Sequence, residues 1–279
     1  MFRKECGFES LSGHFVDVTD FWLVVASMVA FAGAVGASAW KVRAGWGGGR
    51  AWDFGFLLAG FVPLTAALFV RGQAEGSCPL NSLYDVLVFL AWSLVLIYLL
   101  VGSSYRLSLL GFFTAPLALI LLAFATFGPI DRGFLARRVA DPWVETHAAL
   151  SVIAYGAFGL ACVAGVMYLV QEHQLKSHRF SNWFLSLPPI NDLAVANRRL
   201  LMLGFGLLTA GFLSGVVSGQ PVNSMKFWGS VGIWVLYGGF LGAWALWPWR
   251  PGRVAKFSIL AFLVAMAALP ALQYLSTTP

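Results

Sequence analysis

Eight runs of 17 residues or more pass without a charged side chain in this chain of 279 residues. Unbroken apolar stretches of that length are what a helix needs to cross a hydrocarbon core of about 30 Å at 1.5 Å per residue. The runs are Phe21–Trp40, Phe54–Val70, Val86–Tyr105, Leu107–Ile130, Thr146–Val170, Leu200–Val217, Phe227–Trp249 and Phe257–Leu275. Charged residues make up 11% of the whole, against about 25% in soluble domains. The expected fold is therefore all-α, a polytopic integral membrane bundle of about eight transmembrane helices. Residues 1–20 read as an outer N-terminal tail and 21–279 as a single membrane domain. "GWGGGR" (Gly45–Arg50) and Arg106 read as tight connections, and Gln171–Ala196 as the one long loop.

The net charge of +6 comes with no contiguous basic run and no nucleic-acid motif, so nucleic acid is not an expected partner; the bilayer is. Cations collect in cytoplasmic loops. The loops after spans one, three, five and seven hold Lys41, Arg43, Arg50, Arg106, Lys176, Arg179, Arg198, Arg199, Arg250, Arg253 and Lys256. The opposite side holds Arg3, Lys4, Arg71, Arg132, Arg137, Arg138 and Lys226. The larger set marks the inside, which puts both termini outside. "ASA" at Ala37–Ala39 looks like a cleavage site, but acids outnumber cations before span one, the wrong flank for a secretory signal, so span one is expected to be retained. Cys162 reads as a packing residue. Cys6 and Cys78 both fall on the outer side, where a disulfide is one option. There is no CxxC.

Two stretches concentrate polar chemistry. In "CPLNSLYDVLVFLAW" (Cys78–Trp92), Ser82-x-x-Asp85 fits a capping box that satisfies the free N–H groups of a helix start. Asn81, Tyr84 and Asp85 are also candidates for a pocket rim. In "DPWVETHAALSVIAYGAF" (Asp141–Phe158), Asp141 and Pro142 read as N-cap and first helical residue. Trp143, His147, Ser151 and Tyr155 then recur every four residues and share one face, which should meet protein or a cavity rather than lipid. His147 reads either as a hydrogen-bonded interfacial histidine or as an axial ligand to haem iron. No P-loop, GxSxG, HExxH or paired intramembrane carboxylates occur, so no catalysis is expected from this chain. Nor do the spans show a buried charge pair of the sort that marks ion-coupled transporters. The glycines of "GAVGA" and "GFGLLTAG" suit close helix packing, and Pro116 and Pro270 are expected to kink spans four and eight.

Three segments together resemble the cytochrome c assembly protein family, the CcmC/CcsA/HemX group. "CPLNSLYDVLVFLAW" is similar to that family's Pro, Asn, Tyr, acid, then Phe-x-x-Trp pattern entering a helix, with Asp85 in place of the usual Glu. "WVETHAALSVIAYGAFGLACVAGVMYLVQEHQLK" resembles the helix in which an outer His precedes a Tyr-Ala-aromatic run. "IWVLYGGFLGAW" followed by "PWRPGRVAKFSILAFLV" looks like the last two helices. The likeness covers about residues 54–275. It implies haem as cofactor, with His147 as the external ligand and Trp143, Asn81, Tyr84 and Asp85 near the pocket. It also implies a role in c-type cytochrome biogenesis at the outer face of a bacterial inner membrane, beside other assembly proteins.

The departures are specific. The family's Trp-rich loop is replaced by "SGQPVNSMKFWGSVGIW", where Lys226 matches the family Lys, Ser224 stands where an Asp is expected, and only Trp228 and Gly229 correspond to the motif. "GGFLGAW" has no second external His, and span two lacks the intramembrane His. The chain thus resembles the shorter, eight-helix HemX-like branch. The alternative function is a non-catalytic scaffold or regulator that keeps the fold without the haem site.

Overall fold

The computed structural model describes the backbone of residues 5–44, 50–80, 82–102, 108–128, 141–177, 189–219, 225–247 and 249–277. Side chains are described for 18–40, 54–80, 82–101, 111, 113–128, 141–177, 189–219, 227–247 and 249–268. Among the described residues eight helices carry the fold: α1 (Glu5–Ala44), α2 (Arg50–Glu75), α3 (Leu83–Ile97), α4 (Ser108–Phe127), α5 (Pro142–Ser177), α6 (Ile190–Val217), α7 (Met225–Leu246) and α8 (Pro251–Thr277). Seven of them are long and apolar enough to cross a membrane, and α4 contributes the shorter apolar stretch Phe113–Phe127. An all-helical bundle is what lipid demands, because every backbone N–H and C=O must be satisfied within its own segment.

The helices run longer than the charge-free windows. Residues 5–20, read as a tail, are helical and continuous with span one. α5 continues past Val170 to Ser177, with an exposed Glu172–Lys176 ion pair at 2.8 Å on its last turns. α6 already begins at Ile190. The connection expected over Gln171–Ala196 is thus mostly helix, since leaving the hydrocarbon does not by itself end a helix. Charge-free runs locate lipid; caps and breakers locate helix ends. The "GWGGGR" turn and the Arg106 connection lie outside the described residues. Pro116 is accommodated inside α4, Pro63 inside α2, and the α8 backbone runs on through Pro270. At its end α3 widens into a π turn over Tyr98–Gly102.

α5 is the centre of the bundle. It packs most extensively along α6 and also against α8 and α3, while α1 packs on α2 and α4. The α5–α6 contact follows small residues on α6: a Cβ on Gly204 would meet the Phe158 ring, one on Gly211 would meet Ser151, and one on Gly215 would meet His147. Numbers fall along α5 as they rise along α6 by equal steps, so the pair is antiparallel in constant register. Close approach of this kind drives association where the hydrophobic effect gives none. Gly204 and Gly211 are the ends of the "GFGLLTAG" motif, which therefore does pack.

Further down, Asn197 on α6 ties three helices, donating to Ala161 O at 2.7 Å and Ser258 Oγ at 2.8 Å. Phe158 stacks on the buried Tyr237 of α7, with centroids 3.7 Å apart.

Candidate functional site

The start of α3 is a capping box. Ser82 Oγ accepts from Asp85 N at 3.1 Å, and Asp85 Oδ2 accepts from Ser82 N at 2.9 Å and Ser82 Oγ at 2.7 Å. That arrangement occupies one carboxylate oxygen. The other, Oδ1, accepts from Arg71 Nε. Arg71 stands near the end of α2, and its Nη1 reaches Asp20 Oδ2 of α1 at 2.8 Å, while Glu75 lies 3.6 Å from its Nε. The Tyr84 ring lies 4.8 Å from the guanidinium carbon, within the range of a cation–π contact.

All four ionic side chains are buried, at most 4% exposed. One guanidinium thus joins α1, α2 and α3 through three carboxylates. This corrects the expectation that no span holds a buried charge pair. Asp20, Arg71 and Asp85 each sit at the end of a different apolar window, where they read as loop flanks, and only the fold brings them together. Tyr84 and Asp85, read as a pocket rim, are 2% and 1% exposed and belong to this packed lock. Asn81 lies outside the described residues.

Asp141 caps α5 as expected: its Oδ1 accepts from Trp143 N at 3.0 Å, and its carbonyl accepts from Glu145 N at 3.1 Å. Six residues on from Asp141, His147 faces α6, and its Nδ1 lies 2.7 Å from Gly211 O. A carbonyl oxygen only accepts, so Nδ1 carries the proton. In the neutral ring Nε2 then has the lone pair, the form in which imidazole ligates metal. Gly215 makes the contact fit, since a Cβ there would stand 2.7 Å from Nδ1. Of the four-residue stripe, His147 and Ser151 therefore meet α6. Tyr155 is buried and Trp143 is 51% exposed at the helix start. Trp228 is exposed, and Ser224 and the Lys226 side chain lie outside the described residues.

Cys78 lies between the lock and α5 and carries a free thiol; the Cys6 side chain is outside the described residues. Burial, and then the carboxylates of Glu145, Glu75 and Asp85, push the Cys78 thiol up to about 11 from 9.0. The thiolate is the reactive form, so a two-unit rise leaves about a hundredfold less of it at neutral pH. Maleimide labelling of detergent-purified protein at pH 7.5 should accordingly be far slower at Cys78 than for a free cysteine peptide, and should accelerate steadily up to about pH 11. Peptide-like labelling at pH 7.5 would contradict this environment.

Comparison with known proteins bears on the whole arrangement. The family model described as "Cytochrome C assembly protein" matches residues 80–276. Protein HemX of Brevibacillus brevis is 27% identical over 223 residues, covering 76% of this chain and 81% of that protein. Protein HemX of Bacillus subtilis is 26% identical over 200 residues, covering 68% and 72%. The cytochrome c biogenesis protein CcsA of Chlamydomonas reinhardtii is 31% identical over 180 residues, covering 61% of this chain and 48% of its own length. The match takes in α3 to α8, and with them both the capping box and His147. This multi-pass membrane protein belongs to the cytochrome c assembly protein family.

Proposed function

We propose that the protein handles haem for c-type cytochrome biogenesis at the outer face of a bacterial inner membrane, with His147 as an axial ligand. The observation that carries the reading is the 2.7 Å contact between His147 Nδ1 and Gly211 O. With Nδ1 donating to that carbonyl, Nε2 of the neutral ring is the nitrogen that would ligate. Hydrogen bonds from the other ring nitrogen to a backbone carbonyl orient ligating histidines in this way. Among the residues whose side chains are described, His147 is the donor that would hold haem, and His173, the other histidine, lies near the far end of α5. No group of three or more His, Cys, Asp or Glu able to hold a metal ion occurs among the described residues. A second ligand would come from outside the described side chains, from a partner or from solvent. Bound haem supplies the redox and ligation chemistry, and this chain's residues supply binding and orientation.

The same hydrogen bond favours a second reading, in which His147 is a packing residue of a scaffold or regulator. Haem titration of the detergent-purified protein separates them. Haem handling predicts a Soret band in the wild type that is lost or shifted in His147→Ala. No band at saturating haem, or equal binding by both proteins, removes His147 as ligand. Partner co-purification unchanged by His147→Ala would then point to the scaffold role.

A further inference from the structure

At the end of the bundle away from His147, α5, α6, α7 and α8 part around a cavity of about 190 Å³. Tyr168 on its wall lies ~32 Å along α5 from His147. Asn197, Arg198, Trp244, Trp249 and Val254 also line it. The wall is mostly aromatic and aliphatic, and among the described residues Arg198 supplies its one charge, with the guanidinium carbon 5.1 Å from the Trp244 ring centroid. Arg250 and Arg253, both exposed, flank the lining residue Pro251. Among the residues whose side chains are described, the acids at this end are Glu172, already paired with Lys176, and Asp192 in the first turn of α6. Cations therefore outnumber acids at the mouth.

Size narrows the occupant. Sites for whole drug-sized or cofactor-sized ligands run to about 300–1,000 Å³, so this cavity suits a headgroup and not a macrocycle. It also lies where the apolar windows end, at headgroup depth, and basic pockets between membrane helices recognise anionic lipid headgroups. We propose that the cavity binds the phosphate-bearing headgroup of an anionic phospholipid. Arg198 holds the phosphate, and Trp244 and Trp249 wall the glycerol region. This assignment is independent of haem binding.

Native mass spectrometry of the detergent-purified full chain, titrated with phosphatidylglycerol or phosphatidylcholine, tests it. Phosphatidylglycerol should bind preferentially at one copy per chain. Arg198→Gln should weaken that binding at least about tenfold, the cost of a charge-assisted hydrogen bond. Val195→Trp fills the lined space without altering charge and should weaken it similarly. Lys256→Gln, an exposed cation on α8, should leave it unchanged. Retained binding in Arg198→Gln or in Val195→Trp overturns the site, as does equal weakening by Lys256→Gln, which would show diffuse attraction to a basic surface. Displacement of the lipid by millimolar inorganic phosphate would instead assign the pocket to a free anion.

Discussion

Arg71→Met should destabilise the protein by about 3–5 kcal/mol, seen as a fall on the order of 10 °C in the unfolding midpoint in detergent. The reason is an imbalance. Among the described residues Arg71 is the cation set against Asp20, Glu75 and Asp85, and all four side chains are buried. Removing it takes a buried positive charge away from three buried carboxylates, and breaking a buried pair from one side costs far more than the intact pair contributes. Arg71→Lys should fall between, because one ammonium does not reproduce the two directions in which Nε meets Asp85 and Nη1 meets Asp20. Adding Asp85→Asn to Arg71→Met should recover part of the loss, a non-additivity expected of residues sharing one network. A shift under about 2 °C for Arg71→Met, the size of an ordinary surface change, would show that the cluster is not the clasp of α1, α2 and α3.

The contrast between this lock and the rest of the fold shows what was legible beforehand. Membrane spans announce themselves because lipid forbids charge over their whole length. Helix starts do so when a short side chain satisfies local N–H groups, as with Ser82–Asp85 and Asp141. Both signals act within a few residues. The clasp does not: Arg71 and Asp20 are 51 positions apart, and nothing in either neighbourhood names the other. Asp85 has two acceptor oxygens, and its sequence context accounts for one of them; the fold supplies the second partner. His147 shows the same division. Its shared face with Ser151 follows from the four-residue period, whereas its acceptor, Gly211 O, is a backbone atom on another helix. The glycines that admit the ring were visible as a small-residue motif only as far as Gly211. Gly215, the one against Nδ1, lies a turn beyond it.

The second large effect is expected at the crossing of α3 and α5. A Cβ on Gly156 would stand 2.7 Å from Ser93 Oγ, 2.9 Å from Leu94 N and 2.9 Å from the Ser93 carbonyl carbon. Two of those three atoms are backbone, so no rotamer change relieves the contact and the helices themselves must separate. Gly156→Ala should cost about 1–3 kcal/mol as overpacking, and Gly156→Val more. Gly232 is the control, because a Cβ there meets nothing within 4 Å. Gly232→Ala should be neutral or mildly stabilising, since alanine has the higher helix propensity. Thermal unfolding of the three variants beside wild type checks this, and equal midpoints for Gly156→Val and wild type would exclude backbone contact at the crossing. The consequence reaches the candidate site. α3 carries the Tyr84–Asp85 end of the lock and α5 carries His147, so Gly156 fixes how these two segments stand to each other. If His147 ligates haem, Gly156→Ala should weaken or shift the Soret band even in the fraction that remains folded, whereas Gly232→Ala should leave it in place.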